Sequence, residues 1–190
     1  DIYLNSRMKM VEIDGKNLSI ENVESVAKKG NILKISNIGL EAIQASHRRV
    51  QQILQSGKAV YGINTGFGIF ADQVVADSDA VKLSRNLILS HAVGIGPELS
   101  DEIVRAAMLI RANTLTKGFS GVRLEVVQTL VNMLNLGVTP LVPSQGSMGS
   151  SGDLCPLSHL ALVFTTDERD LDQESGMANF NGTRMSGKKA

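Results

Sequence analysis

The sequence predicts a mainly α-helical fold with a few short β-strands near its start. Apolar residues recur at three- and four-residue spacing in several stretches, which is typical of amphipathic helices. Most of these stretches begin near Ser, Asp or Asn and end near Gly, the residues preferred at helix caps. With 190 residues and 43% hydrophobic content, the chain is long enough for one domain with its own core.

The strands are expected only near the start of the chain. Residues 11–13, followed by an Asp-Gly turn signal, and residues 32–35 are short β-branched runs. Between them, Ser19 is placed to cap a short helix that Gly30 ends. This order predicts a strand, a helix and a second strand.

From Ser36 to about residue 164, the chain is predicted to form helices separated by loops. Asp153 is predicted to be the N-cap of the last helix, and Ser120 that of the helix before it. A Gly-Pro loop is expected after residue 91, and no regular element is expected after Thr165. The expected helices cover residues 36–57, 77–92, 100–118, 120–137 and 154–164.

Charge and composition exclude several classes of function. Lys and Arg together number 19, and Asp and Glu together also number 19. The sequence therefore lacks the basic excess that would indicate nucleic acid or anionic lipid as a partner. One cysteine, no membrane-length apolar run and no secretory signal favour a cytoplasmic protein. No metal-ligand spacing and no dinucleotide fingerprint occurs, so neither a metal nor a nucleotide is expected. Residues 1–7 are expected to be a cloning remnant before a domain at 8–190.

Residues 144–159 form the least ordinary stretch, because Gly and Ser are crowded directly before an apolar helix. Three interpretations are open: a close backbone approach, an anion site at the helix N-terminus, or chemistry of the backbone itself. In the third, the Gly152 nitrogen attacks the Ser150 carbonyl carbon and closes a five-membered ring. Loss of water from the ring, and of the Ser151 hydroxyl as a second water, leaves an electrophilic methylidene carbon.

The wider pattern favours the third interpretation. Residues 146–162, which read GSMGSSGDLCPLSHLAL, resemble the signature of the aromatic amino acid ammonia-lyases, and most closely that of their histidine ammonia-lyase branch. The resemblance implies a methylidene-imidazolone cofactor formed autocatalytically from Ser150, Ser151 and Gly152. The sequence has Ser150 where the family usually has Ala, but that side chain only decorates the ring. The resemblance also implies the helical N-terminal domain of the ammonia-lyase (aspartase/fumarase-like) architecture.

Two further segments resemble the same family. Residues 61–68 read YGINTGFG, which taken alone is an ordered loop with Tyr61 as an aromatic anchor. By resemblance, Tyr61 is the general base that takes the β-proton of the substrate. Residues 90–92 read Ser-His-Ala; His91 alone is a packing or capping histidine, whereas the resemblance makes it a catalytic residue of the substrate pocket that favours histidine.

The resemblance implies elimination of ammonia from L-histidine to give urocanate by a homotetrameric enzyme. The family's chains are considerably longer, so this chain is expected to end before the central helix bundle and to be inactive alone. Three alternatives remain open: an aminomutase with the same cofactor, a phenylalanine or tyrosine lyase, which residues 90–91 disfavour, and a non-catalytic helical domain whose Gly/Ser loop stays linear.

Overall fold

The computed structural model describes residues 9–65, 77–166 and 170–190, and the predicted cloning remnant at residues 1–7 lies outside them. The described part is mainly helical with short strands, which confirms the predicted fold class. In chain order the elements are β1 (Met10–Ile13), α1 (Ile20–Ala27), β2 (Ile32–Ile35), α2 (Asn37–Gln55), α3 (Asp77–His91), β3 (Ile95–Glu98), α4 (Asp101–Thr116), α5 (Leu124–Leu136), β4 (Thr139–Pro140), β5 (Pro143–Gln145), α6 (Leu154–Phe164), a 3-10 turn (Asp172–Glu174), β6 (Met177–Phe180) and β7 (Thr183–Ser186).

The start of the chain forms the predicted strand, helix and strand. Strands β1 and β2 pair in parallel, with Val11 opposite Leu33 and Ile13 opposite Ile35. These four side chains are buried, because alternate residues of a strand face the same side. Ser19 caps α1, its hydroxyl accepting a hydrogen bond from the Asn22 amide, as predicted.

Helices α4 and α5 supply the largest share of the core. They pack against each other, and α4 also packs against α1. Their inward faces keep the three- and four-residue spacing of an amphipathic helix. The buried side chains on these faces are Val104, Met108, Leu109, Ala112, Val127, Leu130, Val131 and Leu134. Helix α5 also packs against α6, the helix that follows the Gly/Ser stretch.

Arg105 ties two helix ends to α4. Its guanidinium donates hydrogen bonds to the carbonyls of Val26 and Ala27 at the end of α1 and of Leu134 in the last turn of α5, at 3.0 to 3.2 Å. The last carbonyls of a helix have no partner within the helix. A cation at this end is also favoured by the helix dipole. Arg105 therefore satisfies carbonyl groups that α1 and α5 cannot satisfy themselves.

We expect Arg105→Met to lower the free energy of unfolding by roughly 2–3 kcal/mol, because it removes charged donors while keeping most of the side-chain volume. Arg111→Met is the matched control, since Arg111 is also half-buried on α4 but makes none of these bonds; it should cost less than about 0.5 kcal/mol. Urea unfolding of both variants tests this. Equal losses in the two would contradict the anchoring role.

Helix α5 begins at Leu124, so the prediction that Ser120 caps it was wrong. The intervening segment is bound to α2 instead: the Gly121 amide donates to Ser46 Oγ at 2.9 Å, and His47 Nδ1 donates to the Gly121 carbonyl at 3.0 Å. Gly121 has a φ of +68°, which a right-handed helix cannot contain. Contacts with α2 thus override the local capping signal.

The tail forms a hairpin that was not predicted from the sequence. Strands β6 and β7 pair antiparallel around Asn181 and Gly182, and β6 also pairs with β4. Both turn residues have positive φ, +50° and +72°, as a two-residue primed hairpin turn requires. Across the three described ranges, we find no helix with the length and apolarity to cross a membrane.

Candidate active site

Strand pairing brings two of the three recognised segments together. Strand β3 follows His91 and pairs antiparallel with β5, which directly precedes the Gly/Ser loop; Ile95 lies opposite Gln145. The Leu99 amide extends the contact by donating to the Val142 carbonyl at 2.9 Å. Helix α3 also packs against α6. The Gly-Pro loop predicted after residue 91 is therefore an irregular strand that joins the His91 segment to the Ser151 segment.

His91 is the last residue of α3. Its Nδ1 lies 2.8 Å from the Leu87 carbonyl and 3.1 Å from Ser90 Oγ. Because a carbonyl only accepts, Nδ1 carries the proton in this arrangement. The Ser90 hydroxyl donates to the same carbonyl at 2.9 Å. In the neutral ring Nε2 is therefore an acceptor, and His91 is oriented by its own helix.

A short internal contact closes the Gly/Ser loop. Ser147 Oγ donates to Asp153 Oδ1 at 2.6 Å and accepts from the Gly149 amide at 3.1 Å. Asp153 occupies the N-cap position of α6, but its φ is +58° and its side chain makes no capping bond. Asp153 therefore lies at the predicted N-cap position, but the prediction that its side chain caps the helix was wrong. Its carboxylate binds Ser147 instead.

Between these two ends lie Ser150, Ser151 and Gly152, all exposed. Ser150 and Ser151 form a turn, and Gly152 has a φ of +78°, a conformation that favours glycine. A Cβ built at Gly152 meets no atom within 4 Å, so neighbouring atoms leave the glycine unhindered. A turn that ends in an unhindered glycine is compatible with closure of a ring from residues 150–152, so these residues fit the cofactor that the resemblance implies.

Tyr61 lies in the turn after α2, with 64% of its surface exposed. Asn64 orders this turn: its side-chain oxygen accepts from the Val60 amide and its side-chain nitrogen donates to the Lys58 carbonyl, both at 2.9 Å. The end of the predicted motif, residues 66–68, lies outside the described residues. The structure thus places Tyr61 in an ordered turn, as predicted, but most of its side chain is exposed, so the interpretation of Tyr61 as a packed aromatic anchor was wrong.

One residue of the site was not singled out from the sequence. His159 lies on α6, and its Nε2 accepts a hydrogen bond from the Gly94 amide at 3.0 Å. Burial lowers the pKa of His159, which favours the neutral ring that this bond requires. A single histidine within an otherwise apolar helix segment was the available signal, but nothing in the sequence identified a partner 65 residues away.

A cavity of about 140 Å³ lies under the start of α6. Its walls are almost entirely apolar, so it offers few groups for the charged ends of an amino acid. The residues around it are Leu99, Val104, Ala107, Val142, Asp153, Pro156, Leu157 and Leu160. Among residues 9–65, 77–166 and 170–190 we find no cluster of three or more His, Cys, Asp or Glu side chains suited to a metal ion.

Comparison with known proteins agrees with the family resemblance. The family model described as aromatic amino acid lyase matches residues 18–190. Histidine ammonia-lyase from Shouchella clausii is 53% identical over 154 residues, which is 81% of this chain and 31% of that protein. Histidine ammonia-lyase from Caldanaerobacter subterraneus is 47% identical over 183 residues, which is 96% of this chain and 34% of that protein.

The fold has solved counterparts. The crystal structure of ergothionase, an ergothioneine-degrading enzyme from Treponema denticola, superposes with a TM-score of 0.87 at 33% identity, covering 95% of this chain and 35% of that one. The chain therefore has the fold of that enzyme's corresponding part. It spans about a third of the length of the curated relatives that it matches.

Proposed function

The chain belongs to the aromatic amino acid lyase family, and we propose that the full-length protein eliminates ammonia from L-histidine to give urocanate. The observation that carries this proposal is the pairing of β3 with β5, because it supports a common site for His91 and Ser151. The identity of 47–53% to two histidine ammonia-lyases supports the choice of substrate.

We propose that Ser150, Ser151 and Gly152 form the methylidene-imidazolone cofactor. The turn at residues 150–151 and the positive φ of Gly152 support this assignment. The Ser147–Asp153 hydrogen bond holds the two ends of the segment close together. Once formed, the group supplies an electrophilic carbon that the substrate amine can attack, which makes the amino group a better leaving group.

His91 orients the substrate in this proposal. Because Nδ1–H is committed to the Leu87 carbonyl, the neutral ring offers Nε2 as an acceptor only. An acceptor suits an N–H of the substrate imidazole better than its carboxylate, so the structure favours the imidazole contact. Tyr61 takes the β-proton, and its place in a turn ordered by Asn64 supports a defined backbone position for this residue.

Several large apolar side chains are exposed, which supports a larger assembly in which further polypeptide covers them. Phe119 is 86% exposed, Leu136 67% and Ile110 51%, and removing such apolar surface from water is favourable. We propose that the rest of the full-length chain and neighbouring subunits of a homotetramer cover them. The proposed site of action is the cytoplasm.

The test of the proposed function is the substrate preference of the full-length protein. We expect kcat/KM for histidine to exceed that for phenylalanine and tyrosine by at least roughly two orders of magnitude, since a site built to hydrogen-bond an imidazole leaves its polar groups unpaired with the other two rings. Product separation by chromatography, with ergothioneine added to the substrate panel, measures this. Similar rates on all three amino acids would contradict the assignment.

The same product analysis distinguishes the aminomutase alternative. An ammonia-lyase releases ammonia and leaves an unsaturated acid, whereas an aminomutase retains the amino group at the neighbouring carbon. We expect stoichiometric ammonia and urocanate from histidine. A β-amino acid as the main product would establish the aminomutase activity in its place.

A further inference from the structure

His159 forms a hydrogen bond between the two paired segments. It lies on α6, the helix that begins two residues after Gly152, and its Nε2 accepts from the amide of Gly94, three residues after His91. The N···N distance is 3.0 Å. Since a ring nitrogen that accepts has no proton, the His159 proton resides on Nδ1.

The Gly94 backbone fits closely against its surroundings. A Cβ at this position would lie 3.0 Å from His159 Nε2, 3.1 Å from Pro143 Cβ and 3.2 Å from the Gln145 carbonyl oxygen. All three distances are shorter than ordinary van der Waals contacts of a methyl group. The segment after His91 is thus held directly on α6 and β5, with little room to shift.

The strand pairing alone is a weak constraint on this segment. Its register shifts between Ile95 and Glu98, and Pro97 and Pro143 have no amide proton to donate. A short irregular ladder of this kind leaves the His91 segment few backbone hydrogen bonds. The bond from Gly94 to His159 supplies a fixed point at the end of the ladder nearest to His91.

We propose that His159 is a positioning residue that holds the His91 segment in place relative to the Ser151 loop. His159 acts through His91 and does not touch the substrate. The role of His91 rests on the proposed function, whereas the hydrogen bond itself does not. The effect of His159 on catalysis should therefore depend on the presence of His91.

The test is a double-mutant cycle in the full-length protein with histidine as the substrate. His159→Leu removes the acceptor and should lower kcat/KM by roughly 10- to 100-fold, the loss expected when a half-buried amide is left without its partner. His159→Gln should stay within roughly threefold of the parent, because its side-chain oxygen can accept the same bond. In a His91→Ala background, His159→Leu should change kcat/KM by less than about threefold. Additive losses, or a glutamine variant as impaired as the leucine variant, would overturn the proposal.

Amide hydrogen exchange provides a readout that needs no activity. In His159→Leu, exchange in the peptide that contains Gly94 should become roughly tenfold faster, while that of α4 stays unchanged. If the full-length protein proves inactive on aromatic amino acids, the proposed function fails and this exchange still decides whether the bond positions the segment. Unchanged exchange at Gly94 in the leucine variant would overturn the proposal.

Discussion

Ser151→Ala in the full-length protein should lower kcat for histidine by roughly 10³-fold or more, the scale seen when a residue that forms a covalent bond to the substrate is removed. Alanine has no hydroxyl to eliminate, so the electrophilic carbon cannot form. The near-ultraviolet absorbance of the conjugated group should be lost with the activity. Steady-state kinetics and an absorbance spectrum of the purified variant measure both effects.

The matched control is Ser150→Ala, one position earlier in the same exposed turn. The side chain at 150 is only a substituent of the ring, so this variant should keep both the absorbance and activity within a few-fold of the parent. Its fold is expected to be unaffected, because the side chain lies in solvent. A loss of activity in Ser150→Ala as large as that in Ser151→Ala would contradict the assignment of Ser151 as the source of the electrophilic carbon.

Tyr61→Phe should lower kcat by roughly 10²- to 10⁴-fold, the usual loss when a general base is removed. Phenylalanine keeps the aromatic ring and removes only the oxygen that accepts the β-proton. The Asn64 bonds that order this turn run to the backbone of Val60 and Lys58, so the variant retains both of them. Kinetics with histidine, at several pH values, is the measurement.

The near-ultraviolet absorbance of Tyr61→Phe should equal that of the parent, since Tyr61 takes no part in ring closure. This separates loss of the base from loss of the cofactor. Activity within a few-fold of the parent would remove Tyr61 from the catalytic residues.

Local signals predicted most of the helices correctly. Ser19 and Ser36 accept from the amides of Asn22 and Gly39, as helix caps do. Gly137 ends α5 in the left-handed conformation that glycine adopts most readily. These features depend on residues within one helical turn of each other, so the sequence contains the information needed.

The missed features depend on residues that are far apart in the chain. The pairing of β3 with β5 and the bond from Gly94 to His159 join segments about 50 to 65 residues apart, and no local pattern specifies such contacts. The β6–β7 hairpin is different, because Asn181-Gly182 is a strong local turn signal from which a hairpin could have been predicted.

In the candidate site, too, some features could be predicted from the sequence and others could not. The Gly/Ser loop, Tyr61 and His91 were singled out from the sequence because their segments resemble those of the family, whereas the residues alone left simpler interpretations open. The contacts that orient them were not predicted, since Asp153 was expected to cap α6 and instead binds Ser147. The central proposal about this site is that residues 150–152 form an electrophile.

Peptide mass spectrometry of the purified full-length protein tests that claim most directly. A peptide spanning residues 150–152 should be lighter than its encoded mass by two water molecules, one lost in closing the ring and one from the Ser151 side chain. The corresponding Ser151→Ala peptide should not lose the side-chain water. An active protein whose peptide has the full encoded mass would contradict the account, because its catalysis would then proceed without the electrophile.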